Sequence, residues 1–187
     1  GDDTIYGEIG DDTIDGGAGN DTIISGSGSD VIIITSSSDS DTLSDFTDGT
    51  DAIGFDSSIT SSNLDIAASG SDTVIKNGSD ILLTLTGISS ANVTAADLQS
   101  TSTDAQTING TSGNDILVGG AGNDTFNGGA GSDQLVGWGG DDTFNITSKS
   151  GSWTDTINGG SGTDILNISY SINLEAFSSL SYDNSST

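Results

Sequence analysis

The chain has 187 residues, of which 28 are Asp or Glu and only two are Lys or Arg, so its formal net charge is −26. This balance excludes nucleic acid as a natural partner, because phosphate binding needs clustered basic side chains, and it disfavours docking on an anionic membrane. There is no Cys, so disulfides do not stabilise the fold. No run approaches the roughly 18 apolar residues of a membrane helix, so we expect no membrane insertion.

Low hydrophobicity (31%) together with this net charge is typical of disordered chains. A chain with one dominant sign of charge also repels itself unless something neutralises it. A regular repeat in the sequence argues instead for conditional order, with bound cations removing the repulsion.

Residues 1–33 repeat a pattern of nine residues. The units read GEIGDDTID from Gly7, GGAGNDTII from Gly16 and SGSGSDVII from Ser25. Each joins a glycine-rich hexapeptide, which adopts the φ > 0 of tight turns cheaply, to a short strand whose middle side chain points inward. Two units form one turn of a solenoid with two thin parallel sheets. The chain starts inside a repeat, at GDDTIY, so we expect it to be a piece of a longer protein.

Residues 34–98 leave the nine-residue register. Runs such as IIIT (32–35) and ILLTLTGI (81–88) predict four to six strands, and NVTAADL (92–98) predicts one or two helical turns capped by Thr94. Such a segment would cap the open end of the solenoid, whose strand edges are otherwise exposed. Several acidic residues here are predicted to be solvated turn residues rather than a dedicated site: Asp39, Asp41, Asp45, Asp48 and Asp51.

The repeat returns in residues 107–167, after a polar stretch (99–106, QSTSTDAQ) that predicts a linker. The units from Gly110 onwards read GTSGNDILV, GGAGNDTFN, GGAGSDQLV and GWGGDDTFN. After Phe144 the register slips by four residues, so Asp155 and Asp164 align only across an insertion near 146–158. Residues 168–187 predict a tail or the start of another domain.

The repeated hexapeptide has the chemistry of a calcium loop. Calcium takes six to eight oxygen ligands and accepts backbone carbonyls, which a glycine-rich turn exposes, while one Asp per turn adds charge. Each ion would cancel carboxylate repulsion, so that binding and folding become one event. The alternative, Asx turns in a Gly/Ser-rich linker, explains one or two units but not seven in phase. We therefore predict several bound Ca²⁺ ions.

At these residues the chain resembles the repeats-in-toxin (RTX) family, whose hemolysin-type motif is GGxGxDxUx, where U is apolar. Segments 16–24 and 119–127 match it at every defined place. The resemblance implies an all-β fold, a right-handed parallel β-roll (β-solenoid), here in two blocks separated by a cap-like β-rich segment. It also implies a bacterial protein exported by a type I route, located outside the cell or on its surface.

In that family calcium binds between loops 18 residues apart. The earlier loop gives the carbonyls of its second and fourth positions, the later loop those of its first and third, and both give their Asp. One implied site comprises Glu8, Gly10, Asp12, Ser25, Ser27 and Asp30. A second comprises Thr111, Gly113, Asp115, Gly128, Ala130 and Asp133. A third comprises Gly120, Gly122, Asp124, Gly137, Gly139 and Asp142. A truncated site comprises Gly1, Asp3, Gly16, Ala18 and Asp21.

Two features depart from the family pattern. Glycines of the motif are replaced at Glu8, Ser25, Thr111 and Trp138, where backbone strain is expected to weaken the sites although the carbonyls remain. The insertion is expected to disturb a further site, made of Trp138, Gly140, Asp142, Gly159, Ser161 and Asp164.

These features predict a calcium-dependent structural module of a secreted or surface bacterial protein, of the adhesin or surface-layer type, disordered without calcium and rigid with it. Without His there is no Ser-His-Asp triad and no HExxH zinc site, so we expect no enzyme activity. One alternative is the noncatalytic repeat region of a secreted enzyme or toxin. Another is a calcium-dependent ice-binding solenoid, because Thr4, Thr13 and Thr22 form a partial outward row.

Calcium is the first predicted partner, and neighbouring copies or cell-surface polysaccharide are further candidates. Trp138 and Trp153 are the two residues that would mark a carbohydrate platform. Packing or solvent-facing decoration is the favoured interpretation of both.

Overall fold

The computed structural model describes residues 1–36, 39–147, 153–169 and, for the backbone alone, 177–183. The chain divides into two compact units, Gly1–Gln99 and Ser100–Thr187. The described residues form 18 β-strands and three short 3-10 turns, and no α-helix occurs among them. No helix in this part of the chain has the length and hydropathy needed to cross a membrane.

In the first unit, short strands alternate between two sheets, ordered β1-β3-β5-β9-β8-β7 and β10-β6-β4-β2. The strands are β1 Thr4–Tyr6, β2 Thr13–Asp15, β3 Thr22–Ile24, β4 Val31–Ile34, β5 Asp41–Leu43, β6 Ala52–Phe55, β7 Leu64–Ser69, β8 Asp72–Asn77, β9 Asp80–Leu85 and β10 Leu98–Ser100. Repeat strands pair in parallel, with Thr4 opposite Thr22 and Thr13 opposite Val31. The predicted β-solenoid is therefore confirmed.

Strands β7, β8 and β9 extend the larger sheet as an antiparallel meander, and β9 runs parallel to β5. The predicted helix near 92–98 is instead a single 3-10 turn, Ala95–Asp97, preceded by another at Ser90–Asn92. Thr94 caps it as predicted: its hydroxyl accepts the Ala96 N–H at 3.3 Å, and Asp97 Oδ2 accepts the Thr94 N–H at 2.8 Å. The turn ends at once because Leu98, fully buried, begins β10.

The second unit repeats the same alternation, with sheet orders β11-β13-β15-β17 and β12-β14-β16-β18. Its strands are β11 Thr107–Asn109, β12 Ile116–Val118, β13 Thr125–Asn127, β14 Gln134–Val136, β15 Thr143–Ile146, β16 Trp153–Asn158, β17 Ile165–Ile168 and β18 Phe177–Asp183. Before the register slip, Phe126 pairs with Phe144; across it, Phe144 pairs with Leu166. The insertion lengthens one turn without ending the parallel stack.

One inward side chain per repeat strand fills the space between the sheets. In the second unit Phe126 and Phe144 are fully buried and stack with ring centroids 4.7 Å apart. Trp153 belongs to the same core, as the packing interpretation predicts, whereas Trp138 lies in a loop and is 37% exposed. Each such buried side chain stabilises the fold by roughly 1.5–3 kcal/mol. A core of single rows is thin, so the loops must also contribute.

Residues 99–106, predicted as a linker, are folded. Gln99 and Ser100 end β10, and residues 101–106 form a loop that stacks against loop 119–124. Ala121 N–H donates to the Ser102 carbonyl at 2.8 Å, and Gln106 N–H donates to Asp124 Oδ1 at 2.8 Å. The second unit's stack therefore starts one loop before the recognisable repeat.

Candidate metal centre

Six-residue loops connect the repeat strands, and each stacks on the loop one turn earlier. Counting six positions per loop, the third-position N–H donates to the second-position carbonyl of the earlier loop. Ser27 N–H thus donates to the Glu8 carbonyl at 2.8 Å, and Gly139 N–H donates to the Gly120 carbonyl at 2.9 Å. Stacked loops are held at hydrogen-bonding distance by their own backbones.

Carbonyl oxygens at the second and fourth positions project into the next loop. A Cβ built on Gly26 or Gly28 would lie less than 3.0 Å from the carbonyl oxygen of Glu8 or Gly10, respectively. The carbonyl oxygens of Thr111, Gly113 and Gly122 lie equally close beneath glycines of later loops. The Gly120 carbonyl lies beneath the backbone of the next loop. These are the carbonyls that the resemblance assigns to calcium from the earlier loop. Glycine is needed at those positions where such a carbonyl would collide with a Cβ, as at Gly26 and Gly28.

The first loop of each stack does not need glycine at these positions. Gly10 and Gly113 have room for a Cβ, because no loop lies beneath them within their units. Glu8 and Thr111 occupy second positions in those same first loops. Among described residues only Glu8 (φ 72°) and Trp138 (φ 70°) are non-glycines with positive φ. The strain expected from the sequence is therefore confirmed at these two residues and is absent at Ser25 and Thr111.

Aspartates at the sixth position form a column along each stack of loops. Oδ1 of each accepts the backbone N–H of the aspartate one turn earlier, at 2.9 Å from Asp12 to Asp30 and 2.8 Å from Asp124 to Asp142. The same bond joins Asp3 to Asp21 at 2.8 Å and Asp115 to Asp133 at 3.1 Å. This column brings together the carboxylates predicted to bind calcium in successive loops.

The second carboxylate oxygens mark where a cation fits. Buried Oδ2 atoms without a hydrogen-bond partner occur at Asp12, Asp21, Asp30, Asp142 and Asp164. At Gly137, a Cβ would lie less than 3.0 Å from both Asp142 Oδ2 and the Gly159 carbonyl oxygen. A carboxylate and a carbonyl oxygen therefore converge on one cradle. Burying an unpaired carboxylate is strongly unfavourable, so the donor set fits a hard cation such as calcium.

In loops 110–115 and 119–124 the Oδ2 atom is satisfied within the loop. Asp115 Oδ2 accepts the Thr111 N–H at 2.8 Å, and Asp124 Oδ2 accepts the Gly120 N–H at 2.8 Å. Both donors occupy the second loop position. The N–H of that position is thus the local partner available to a sixth-position aspartate.

The pKa values of the column aspartates favour a positive charge beside them. Burial, helped by the charges of Asp124, Asp164 and Asp141, raises the pKa of Asp142 to about 7. Burial also raises the pKa values of Asp41 and Asp124. No three Asp, Glu, His or Cys side chains converge on one point in the described residues. The resemblance implies a ligand set of backbone carbonyls and two carboxylates, which requires no such cluster.

A family model for the RTX calcium-binding nonapeptide repeat matches in four copies, over residues 1–32, 107–144 and 154–167. The repeat blocks belong to the RTX family. They are accordingly calcium-binding β-roll repeats, as predicted. A search of curated proteins finds no match for the chain.

The RTX loop pair that crosses the register slip has the same geometry as the others. Ser161 N–H donates to the Trp138 carbonyl at 2.9 Å, and Asp142 N–H donates to Asp164 Oδ1 at 3.0 Å. Glycines of the later loop lie against the carbonyls of Trp138 and Gly140. The insertion falls between β15 and β16, before this later loop, which is why the expected disturbance is not seen.

The truncated RTX site keeps part of this arrangement. Asp3 N–H donates to Asp21 Oδ1 at 2.8 Å, and the Gly1 amino group donates to the Ala18 carbonyl. Gly16 lies beside Asp21 Oδ2, where a Cβ would collide. The five predicted residues are therefore adjacent, although the Ala18 carbonyl already accepts a hydrogen bond.

Fifth-position side chains were missed by the sequence analysis. Asp11 Oδ1 accepts the Ser29 N–H at 2.8 Å, and Asn123 Oδ1 accepts the Asp141 N–H at 2.9 Å. These bonds run from the later loop to the earlier one, opposite to those of the sixth-position column. The sequence signal was present, because the fifth position always carries Asp, Asn, Ser or Thr.

The prediction of solvated acidic turns was wrong for two residues. Asp41 and Asp51 are 1% and 4% exposed. Asp41 Oδ1 accepts the Asp21 N–H at 2.9 Å, and Asp51 Oδ1 accepts the Asp30 N–H at 3.2 Å, so both extend the aspartate columns. They are buried because β5 and β6 continue the two sheets after the glycine pattern has ended. Asp39 and Asp48 are exposed, as predicted.

Proposed function

We propose that this chain is a structural module that folds when calcium binds, within a secreted or surface bacterial protein of the adhesin or surface-layer type. The observation that carries the proposal is the set of buried Oδ2 atoms without hydrogen-bond partners at loop aspartates, in a chain of net charge −26. At neutral pH, bound cations reconcile such burial with a stable fold.

The chain's own residues define the mechanism. Without calcium, carboxylates such as Asp12 and Asp30 repel one another, and the thin core does not offset that repulsion. Calcium supplies positive charge between stacked loops, where carbonyls such as those of Glu8 and Gly10 already project. Cytosol with little free calcium would keep the chain unfolded and exportable by a type I route. Outside the cell, calcium would make the rolls rigid.

We assign calcium to the loop pairs in which carbonyls and carboxylates converge. These are the pairs 7–12 with 25–30, 110–115 with 128–133, 119–124 with 137–142, and 137–142 with 159–164. The truncated pair at residues 1–3 and 16–21 forms a partial site. In this proposal blocks 1–33 and 107–167 bind the ions, and residues 34–98 cap the first block.

A calcium titration followed by circular dichroism tests the folding switch. Strand signal should appear as calcium is added and disappear with EDTA. Magnesium should not replace calcium, because it demands octahedral geometry at about 2.0–2.1 Å and keeps its own water. Strand signal that is unchanged by chelation would remove the proposal.

Ice binding is a second candidate function, supported by one column of threonines. Thr4, Thr22, Thr42 and Thr84 lie opposite one another on successive strands of one sheet. Neighbouring strands are about 4.8 Å apart, so the column is regular. Thr13 lies in the other sheet, opposite a valine, and does not belong to it. Absence of thermal hysteresis in the presence of calcium would remove this candidate.

A further inference from the structure

We propose that Asn77 is a site of spontaneous deamidation, and that the reaction weakens the hairpin formed by β8 and β9. Asn followed by Gly is prone to this reaction, because Gly has no side chain to shield its backbone nitrogen. The sequence contains four such pairs, at residues 77–78, 109–110, 127–128 and 158–159. The fold restrains three of these pairs and leaves the pair at 77–78 accessible.

The reaction needs no reactant other than water. The backbone nitrogen of Gly78 attacks the side-chain carbonyl carbon of Asn77, so that a C–N bond forms. The side-chain nitrogen leaves as ammonia and takes the proton of the Gly78 N–H, and the product is a five-membered succinimide ring. Water then opens the ring at one of its two carbonyls and leaves aspartate or isoaspartate. The reaction therefore requires an Asn side chain that can rotate and a Gly N–H without a strong hydrogen bond.

A ladder of side-chain amides fixes the Asn residues of two pairs. Asn109 Oδ1 accepts a hydrogen bond from Asn127 Nδ2 at 2.7 Å, and Asn127 Oδ1 accepts one from Asn145 Nδ2 at 2.9 Å. In addition, the Gly110 N–H donates to the Asn127 carbonyl at 2.9 Å. Succinimide formation at either pair therefore requires the ladder to open first.

The pair at residues 158–159 is restrained by its own turn. Asn158 Oδ1 accepts the Gly160 N–H at 3.0 Å, and Gly159 between them is buried. The attacking nitrogen is thus shielded from the solvent that must remove its proton.

The pair at residues 77–78 lies at the tip of the β8–β9 hairpin. The register places Asn77 opposite Asp80, so Gly78 and Ser79 form a two-residue loop, and Gly78 has the positive φ (64°) that such loops use. Gly78 is exposed, and its N–H donates to the Asn63 carbonyl at 3.4 Å, which is longer than the roughly 2.7–3.2 Å of ordinary N–H···O bonds. Within the described part of the chain, no residue forms a hydrogen bond with the Asn77 side chain. Both requirements of the reaction are therefore met here.

Deamidation at this position would change both the charge and the backbone of the hairpin. A carboxylate at residue 77 would lie directly opposite Asp80, and like charges in a cross-strand pair are destabilising. Isoaspartate also routes the backbone through the former side chain, which adds one carbon to a loop whose length fixes the strand register. Because β9 also pairs with β5, the hairpin belongs to the sheet that continues the roll. The proposed cap of the first block therefore weakens as the protein ages.

Peptide mapping by mass spectrometry tests the selectivity for Asn77. Calcium-loaded protein is incubated in warm, mildly alkaline buffer, and aspartate plus isoaspartate is followed at each of the four pairs. We expect modification at Asn77 to be at least about tenfold faster than at the other three, which react only after local opening. Asn77→Gln, whose longer side chain would have to form a six-membered ring, should remove the fast reaction and leave the other three rates unchanged. Equal rates at all four pairs would overturn the inference.

Protein treated with EDTA separates this inference from the proposed function. If calcium folds the chain, chelation should make the four pairs react at similar rates. Selectivity for Asn77 that survives chelation would contradict the folding switch and support the deamidation site.

Asn77→Asp tests the effect on stability. In urea unfolding with calcium, we expect this variant to have a folding equilibrium constant roughly 1.5-fold to fivefold lower than that of the wild type, from the charge pair alone. Asn92→Asp is the matched control, because it adds the same charge at an exposed residue of a 3-10 turn in the same segment, and it should match the wild type. Equal stability of the two variants would overturn the proposed weakening of the hairpin.

Discussion

The backbone N–H of Asp124 donates to Oδ1 of Asp142 at 2.8 Å, and Oδ2 of the same carboxylate is buried without a hydrogen-bond partner. One oxygen of Asp142 therefore joins two turns of the roll, while the other faces a cradle of oxygens beside Gly137. The same side chain makes a structural hydrogen bond that needs no metal and carries a buried charge that a bound cation would neutralise.

Asp142→Asn should destabilise the protein when calcium is present and stabilise it when calcium is absent. In calcium the variant should lose affinity at the loop pairs it serves and unfold about 3–5 kcal/mol more easily, because a charged ligand is gone. Without calcium it should be more ordered than the wild type, because a buried charge has been removed. Urea unfolding at saturating calcium and circular dichroism without calcium measure both effects. Asp80→Asn, at an exposed strand residue, should show neither; the same sign of change in both conditions would contradict this account.

Gly28→Ala should be far more damaging than Gly10→Ala. Both glycines occupy fourth loop positions with positive φ (148° and 130°), so each loses about 1 kcal/mol from backbone strain. Only at Gly28 does the new Cβ collide with the carbonyl oxygen beneath, that of Gly10. We expect about 1–3 kcal/mol of additional loss in the free energy of unfolding, measured with urea in calcium. Equal losses in the two variants would mean that the loops do not stack as described.

The nine-residue period predicts the solenoid because one inward apolar residue and one glycine-rich turn per unit are enough to define it. Loop 101–106 was not predictable in that way. Ser102 and Asp104 occupy the second and fourth loop positions, where glycine is needed only if another loop lies beneath. No earlier loop lies beneath them within the unit. Because the motif's glycines answer contacts from below, the first loop of a stack can lack them and still fold as part of it.

The end of a stack is also difficult to predict from the sequence. Asp41 and Asp51 continue the aspartate columns at offsets of 20 and 21 residues instead of 18. A search for a fixed period loses them, although their strands stay in register with β3 and β4. Burial and hydrogen bonding, which only the folded chain reveals, identify both residues.

The calcium-free protein should become more ordered as the pH is lowered from about 7 towards about 4. Burial raises the pKa of Asp142 to about 7, above the value of 3.8 for a free Asp side chain. The folded state therefore binds a proton more tightly than the unfolded state, and this stabilisation is lost as the pH rises through about 7. Circular dichroism on protein freed of calcium by a chelating resin measures the effect, and Asp142→Asn should flatten it. Calcium-loaded protein should show the opposite trend, since protons compete with the ion.

Terbium should report the loop pair that crosses the register slip. The Trp138 carbonyl is a proposed ligand there, so its indole lies close to a bound lanthanide, which prefers the same hard oxygen ligands as calcium. Excitation of tryptophan should sensitise terbium emission, and Trp138→Phe should remove most of it. Trp153 lies in the core of the second unit rather than in an ion-binding loop, so it should contribute little. Calcium-induced circular dichroism should be unchanged in Trp138→Phe, which shows that folding is intact. Full emission from that variant would mean that no ion binds between loops 137–142 and 159–164.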